Sequence, residues 1–192
     1  MSFSPQQIAA IKAAIAADPV LAGASASDDG SDLIAKAFNV VGATDVWRTD
    51  APVDSIYDSI DWTKYTPTTV PALSDLPAAS AWFLNQCATI NIKQMNLQNM
   101  LFGRVTLNCS RAGIRAGLRD AVIALPAGTA GAPVSAGGSG GVNVLAVCVR
   151  KATRLEALLA AAVATTGPTS ANVLVFEGAV SYAEISAVRS AP

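Results

Sequence analysis

The sequence predicts a mainly α protein: a helical bundle with extended arms and a minor β element near residues 173–176. Two observations carry that prediction. Apolar side chains recur at three- and four-residue spacing through five or six segments, several of them opened by capping signals. Against these stands a single β-branched run, Val173-Leu174-Val175-Phe176. Apolar residues make up 52% of the 192 positions while aromatics make up 6%. Global disorder is therefore excluded, and much of the apolar content is alanine, which buries little area per residue. One domain spanning residues 1–192 is expected, with flexible loops at about 63–77 and 127–141.

The first helix opens at Ser4. Pro5 takes the first helical position, Gln7 completes a capping box, and Ile8, Ile11 and Ile15 fall on one face until Asp18-Pro19 ends the run. Gly23 to Gly30 is small and polar and reads as a loop. A second helix from Ser31 or Asp32 carries Leu33, Ile34, Ala37 and Phe38 and stops before Gly42. Val46 to Arg48 reads as a short strand, and Pro52 introduces a short helix over Val53–Ile60. Pro67, Pro71 and Pro77 make Thr63–Pro77 an extended arm.

Ala78 to about Phe102 turns helical again, with Trp82, Phe83, Ile90 and Leu97 on a broad face and amides at most polar positions. Gly103 is its stop. Ser110 to Leu125 is the clearest helix, its apolar stripe made by Ile114, Leu118, Ala121, Val122 and Leu125. The low-complexity stretch Ala127–Gly141 reads as a loop. A long helix over Val142–Ala164 follows, then the strand, then a short C-terminal helix opened by a capping box between Ser181 and Glu184.

Net charge is −1, and it hides an asymmetry. Residues 1–75 carry four basic side chains and ten aspartates, a net −6; residues 76–192 carry nine basic and four acidic, a net +5. Such polarity suits head-to-tail self-association or two unlike partners, and equally a chain whose halves neutralise each other.

The absence of histidine removes the usual general base and metal ligand, so neither a Ser-His-Asp nor a Cys-His arrangement can be built. Cys87, Cys109 and Cys148 have no metal-binding spacing and read as free buried thiols in a reducing compartment. Asp54, Asp58 and Asp61 could supply a carboxylate pair, but three aspartates around a short helix read first as caps and a solvated face. The glycine run at Gly137 lacks a following Lys-Ser or Lys-Thr and is no phosphate loop. No cofactor is expected. The opening Met1-Ser2-Phe3-Ser4-Pro5 has no secretory pattern, and no apolar run is long enough to span a bilayer, so no membrane contact is expected. Arg111, Arg115 and Arg119 stand at i, i+4, i+8 and could track phosphates or pair with carboxylates of another subunit; a pI of 5.3 weighs against a dedicated nucleic-acid binder.

Several stretches resemble small structural proteins of tailed bacteriophages: Asp45-Val46-Trp47-Arg48-Thr49-Asp50-Ala51-Pro52, Lys93 to Leu101, Ser110 to Ala121, Thr153 to Leu159, and Phe176 to Tyr182. The resemblance covers most of the chain after about residue 30. It implies a non-enzymatic virion component, made in the host bacterial cytoplasm, similar to head–tail adaptors that form a ring beneath the portal. Expected partners are further copies of the chain, the portal protein and a tail protein, with DNA passing through the bore. The candidate interface residues are Arg111, Arg115 and Arg119 on one side and Asp50, Asp54, Asp58 and Asp61 on the other. Two further readings are a capsid decoration protein or other tail component, and a neck-associated cell-wall hydrolase.

Overall fold

The computed structural model describes residues 3–66, 76–123, 144–161 and 171–192. The fold is mainly α with a minor β component. Helices α1 (Pro5–Ala17), α2 (Pro19–Ala22) and α3 (Asp28–Phe38) lead into strand β1 (Val41–Trp47). Strand β2 (Ala51–Pro52), α4 (Val53–Asp58) and a 3₁₀ turn at Trp62–Tyr65 follow. Helix α5 (Leu76–Trp82) runs through a π-helical turn (Phe83–Ala88) into α6 (Thr89–Leu101). Then come β3 (Thr106–Leu107), α7 (Ala112–Val122), a 3₁₀ turn at Ala146–Cys148, β4 (Val149–Thr153), α8 (Arg154–Leu159) and α9 (Tyr182–Ser190).

The chain gathers into two compact units. Unit 1 comprises residues 1–46, 150–163 and 171–192; unit 2 comprises 47–149 and 164–170. The chain leaves unit 1 inside β1 and returns to it inside β4.

In unit 1, α1, α3, α8 and α9 enclose a core of Ile11, Leu21, Ile34, Phe38, Leu155, Ile185 and Val188. The capping boxes at Ser4/Gln7 and Ser181/Glu184 are both formed, so the ends of α1 and α9 follow from local sequence. Asn39, just past α3, grips the backbone before α9: its Nδ2 donates to Val180 O at 2.8 Å, and Val180 N donates to its Oδ1 at 2.9 Å. Lys12 Nζ donates to Ala191 O.

Two expectations fail here. The segment expected to be loop up to Gly30 is helical from Asp28. Gly30 lies so close to Ser25 that an added Cβ would sit 2.0 Å from Ser25 O, and glycine is the one residue that lets this turn close. The long helix expected over Val142–Ala164, which spans both units, is broken among its described residues, 144–161. Within it, 3₁₀ turn, strand and helix succeed one another, because Thr153 and Glu156 form a capping box that starts α8 at Arg154. β4 pairs with β1, and Arg154 N donates to Val40 O at 2.8 Å. At 173–176 the β component is a bridge, Val173 with Ala161, beside another between Asn172 and Val46.

In unit 2, α6 and α7 pack together and β2 pairs antiparallel with β3 in the register Ala51↔Leu107 and Pro52↔Thr106. Trp47, Ile56, Ile90, Leu97, Leu101, Leu118 and Leu145 fill the core. Residues expected in an extended arm form the turn Trp62–Tyr65, capped by Asp61, and the buried Tyr65 hydroxyl donates to Ala121 O at 2.9 Å. Helix formation resumes at Leu76, earlier than Ala78; Pro77 falls in the first turn, where its missing N–H costs nothing. The expected loop at 127–141 lies outside the described residues, as does most of the one at 63–77.

Candidate protein–protein interface

All seven residues singled out by charge lie in unit 2. Arg111 is exposed and stands at the N-cap position of α7, one residue later than the expected cap Ser110. Arg119 is half-buried in the last turn of α7, where a cation is favoured by the helix dipole. Arg115 is only 2% exposed. Its guanidinium lies 4.7 Å from the ring centroid of buried Trp47, and Nη1 donates to Cys109 O at 2.9 Å and Ser110 O at 2.6 Å. Burial lowers its pKa, with the neighbouring Cys109 working the other way. Arg115 is thus a core residue that braces the chain entering α7, and the three arginines do not form one outward stripe.

The aspartates stay on the surface. Asp50 pairs with Arg48 at 3.3 Å. Asp54 favours the N-terminal turn of α4 through the helix dipole, and Asp58 closes the same helix. Asp61 accepts from Thr63 N at 3.1 Å and Thr63 Oγ1 at 2.6 Å, and the hydroxyl bond holds its carboxyl below the usual range. A residue tuned as a general acid is shifted the opposite way. Among the described residues, no ion pair joins any of Asp50, Asp54, Asp58 and Asp61 to Arg111, Arg115 or Arg119.

The charge asymmetry of the sequence halves also does not survive folding. Unit 1 holds six basic and eight acidic residues, net −2; unit 2 holds seven and six, net +1. The division at residue 75 cuts across both units, so a −6/+5 polarity becomes two nearly neutral bodies.

A thiol pair lies beside Arg115. Cys109 N donates to Arg48 O and Arg48 N donates to Cys148 O, both at 2.9 Å, so the two buried cysteines flank one residue. Cys148 Sγ donates to Val144 O at 3.3 Å. The nearness of the Cys109 thiol, together with burial, pushes the Cys148 thiol up, whereas the nearness of Cys148 draws the Cys109 thiol down against the effect of burial. Both are free, as is Cys87. Among the described residues, no group of three His, Cys, Asp or Glu side chains could hold a metal ion, and no helix is long and apolar enough to cross a membrane.

What the charge pattern missed is apolar. Each unit leaves large hydrophobic side chains uncovered. In unit 1, Val40 and Val41 are exposed at the start of β1 beside a shallow cavity of 440 Å³ that Arg154 and Ala157 also line. A neighbouring cavity of 730 Å³ is lined by Ala14, Phe38, Arg154 and Leu158. In unit 2, Phe83, Leu84, Ile92 and Met95 are exposed along the α5–α6 run. Phe102 and Val105 follow at 83% and 86% exposure. Scattered single hydrophobics are ordinary on a surface, whereas a row of large ones marks a contact site. The signal was in the sequence as apolar residues on both sides of the amide-rich helix, a breadth beyond what one buried stripe needs. No protein-family model, curated protein or solved structure matches the chain.

Proposed function

We propose that this chain is a structural component of a tailed-bacteriophage virion, acting as a head–tail adaptor that forms a ring between portal and tail. The observation that supports it is the pair of exposed apolar surfaces, one on each unit. A chain whose two units each carry an uncovered apolar surface offers neighbours two contacts, which is what an adaptor needs, and a heterologous contact between unlike surfaces generates a ring when its rotation closes. The resemblance of the segments around Trp47, Lys93–Leu101 and Ser110–Ala121 to phage structural proteins supplies the virion setting. The partners in this reading are further copies of the chain, the portal and a tail protein, with DNA passing through the bore.

The subunit contacts in this reading are apolar, with charge setting register. Arg111 and the aspartates Asp50, Asp54, Asp58 and Asp61 remain available on the surface for that purpose, whereas Arg115 does not. The chain carries no turnover of its own; activity in a peptidoglycan zymogram, lost in Asp58→Ala, would favour the hydrolase reading instead. The deciding measurement is the position and copy number of the protein in particles imaged by electron microscopy. A ring at the neck is expected, together with full heads lacking tails when the protein is missing. A scatter over the capsid surface would replace the adaptor with a decoration protein, and absence from particles would remove both.

A further inference from the structure

Helix α6 is braced from behind and bare in front. On its inner side Ile90, Leu97 and Leu101 are buried, and Met100 reaches α7 so closely that a Cβ added to Gly117 would lie 3.0 Å from the Met100 sulfur. Lys93 turns its ammonium onto the end of α7, donating to Asp120 O and, at 3.3 Å, to Ile123 O. On the outer side Asn91, Ile92, Met95, Asn96, Asn99 and Phe102 are all exposed.

Three properties of this outer face point to its occupant. First, the spacing: Ile92, Met95, Asn99 and Phe102 follow a 3-4-3 pattern, that of a seam along which helices pack on helices of the same kind. Second, the charge: from Leu76 to Gly103 the only ionisable side chain that carries charge at neutral pH is Lys93, and it is spent on α7. The face therefore selects no partner of opposite sign and does not repel its own image. Third, the polar groups: its amides each both donate and accept, so an identical surface satisfies them. A lone Asn in an apolar seam fixes register at a cost in stability, which suits a contact whose geometry matters more than its strength.

We infer that the outer face of α6 docks a second copy of this chain, helix against helix, with Ile92, Met95 and Phe102 as the apolar seam and Asn99 hydrogen-bonded to an amide of the neighbouring helix. The inference deepens the self-association in the proposed function and rests on that part of it, independently of the virion setting.

The test uses the purified full-length chain in sedimentation velocity over a concentration series. The wild type is expected to self-associate. Ile92→Glu combined with Met95→Glu should raise the dissociation constant at least ~100-fold, the scale on which an unpaired charge buried at a contact acts. The thermal melt at low concentration should be unchanged, since both side chains face solvent in the single chain. Should the double variant fail to fold, Asn99→Asp serves in its place. Its association should be weaker at neutral pH than at pH 4, where the two carboxyls are partly protonated.

A monomeric wild type at every concentration overturns the inference, and so does an oligomer indifferent to both variants. A wild type that associates only with some other purified virion protein, through this face, also overturns it. A chain that self-associates through α6 yet is absent from particles keeps this inference and sinks the virion reading. A chain found at the neck whose α6 variants still oligomerise does the reverse.

Discussion

Among the described residues, each unit buries one charged group, and each answers it differently. In unit 1 the group is Glu156, 2% exposed, which accepts from four donors: both terminal nitrogens of Arg150 at 2.8 Å, Thr153 N at 2.9 Å and Gly178 N at 3.0 Å. Burial by itself would push its carboxyl up. The Arg150 bonds, aided by the Gly178 and Thr153 amides, outweigh that and hold it at about 2. In unit 2 the group is Arg115, and its partners are two backbone carbonyls and the face of Trp47. Among the described residues, its Nε has no hydrogen-bond partner. Unit 1 closes a full charge pair inside itself, tying Arg150 also to Glu177 at 3.2 Å. Unit 2 uses neutral acceptors and leaves an uncharged apolar helix face outside. Neutrality and completeness are therefore separate properties: unit 2, at net +1, still leaves large apolar side chains exposed along the α5–α6 run.

The largest effect should come from breaking the unit 1 network. Glu156→Ala leaves Arg150 with Glu177 as its one carboxylate and takes the acceptor from the part-buried Thr153 and Gly178 N–H groups, and is expected to cost about 3–5 kcal/mol in urea unfolding. The pH dependence has a definite sign. A carboxyl depressed to about 2 in the folded state contributes stability that is fully present above the usual glutamate range and is lost as pH falls from about 4.5 toward 2. Glu156→Gln should flatten that acid limb of the stability profile, and an unaltered limb would mean other carboxyls control it.

Next comes Gly30→Ala. The new Cβ would meet the Ser25 backbone, which cannot swing aside, so a loss near 3 kcal/mol is expected, with amide exchange quickening in α3 and α9. Arg115→Leu should cost less, about 1–3 kcal/mol. It leaves the Cys109 and Ser110 carbonyls without donors but removes no carboxylate partner. A loss as large as that of Glu156→Ala would show that the two charges are equally committed and erase the contrast. The smallest effect belongs to Gly117→Ala. Here the obstacle is the far end of Met100, a flexible side chain, and alanine favours a helix interior by roughly 0.5–1 kcal/mol, so the net change should stay within about 1 kcal/mol either way.

Local chemistry in the chain was enough to place most helices. Ser4/Gln7 and Ser181/Glu184 start theirs where the caps say, because a capping box satisfies orphan N–H groups with side chains three residues away and needs nothing distant. Thr153/Glu156 obeys the same rule, and its box was legible although periodicity from Val142 onward read through it. Gly30 was misread for the converse reason: a glycine beside serines looks like loop until the Ser25 backbone closes against it.

Charge was where the sequence misled. The i, i+4, i+8 spacing of Arg111, Arg115 and Arg119 is real, but spacing says only that side chains share a helix face, not what that face meets. Arg115 met Trp47, 68 positions earlier in the chain, and became core. The −6/+5 split dissolved because unit 1 is assembled from three separate stretches, and net charge along a chain has no meaning for bodies built by returning to it. What depends on neighbours within a turn or two could be read along the chain: the capped helix starts at Ser4 and Ser181, and the fold class. Only the tertiary structure decided which arginine is buried, which thiols meet, and which side of α6 is left bare, since burial depends on contacts between residues far apart in the chain.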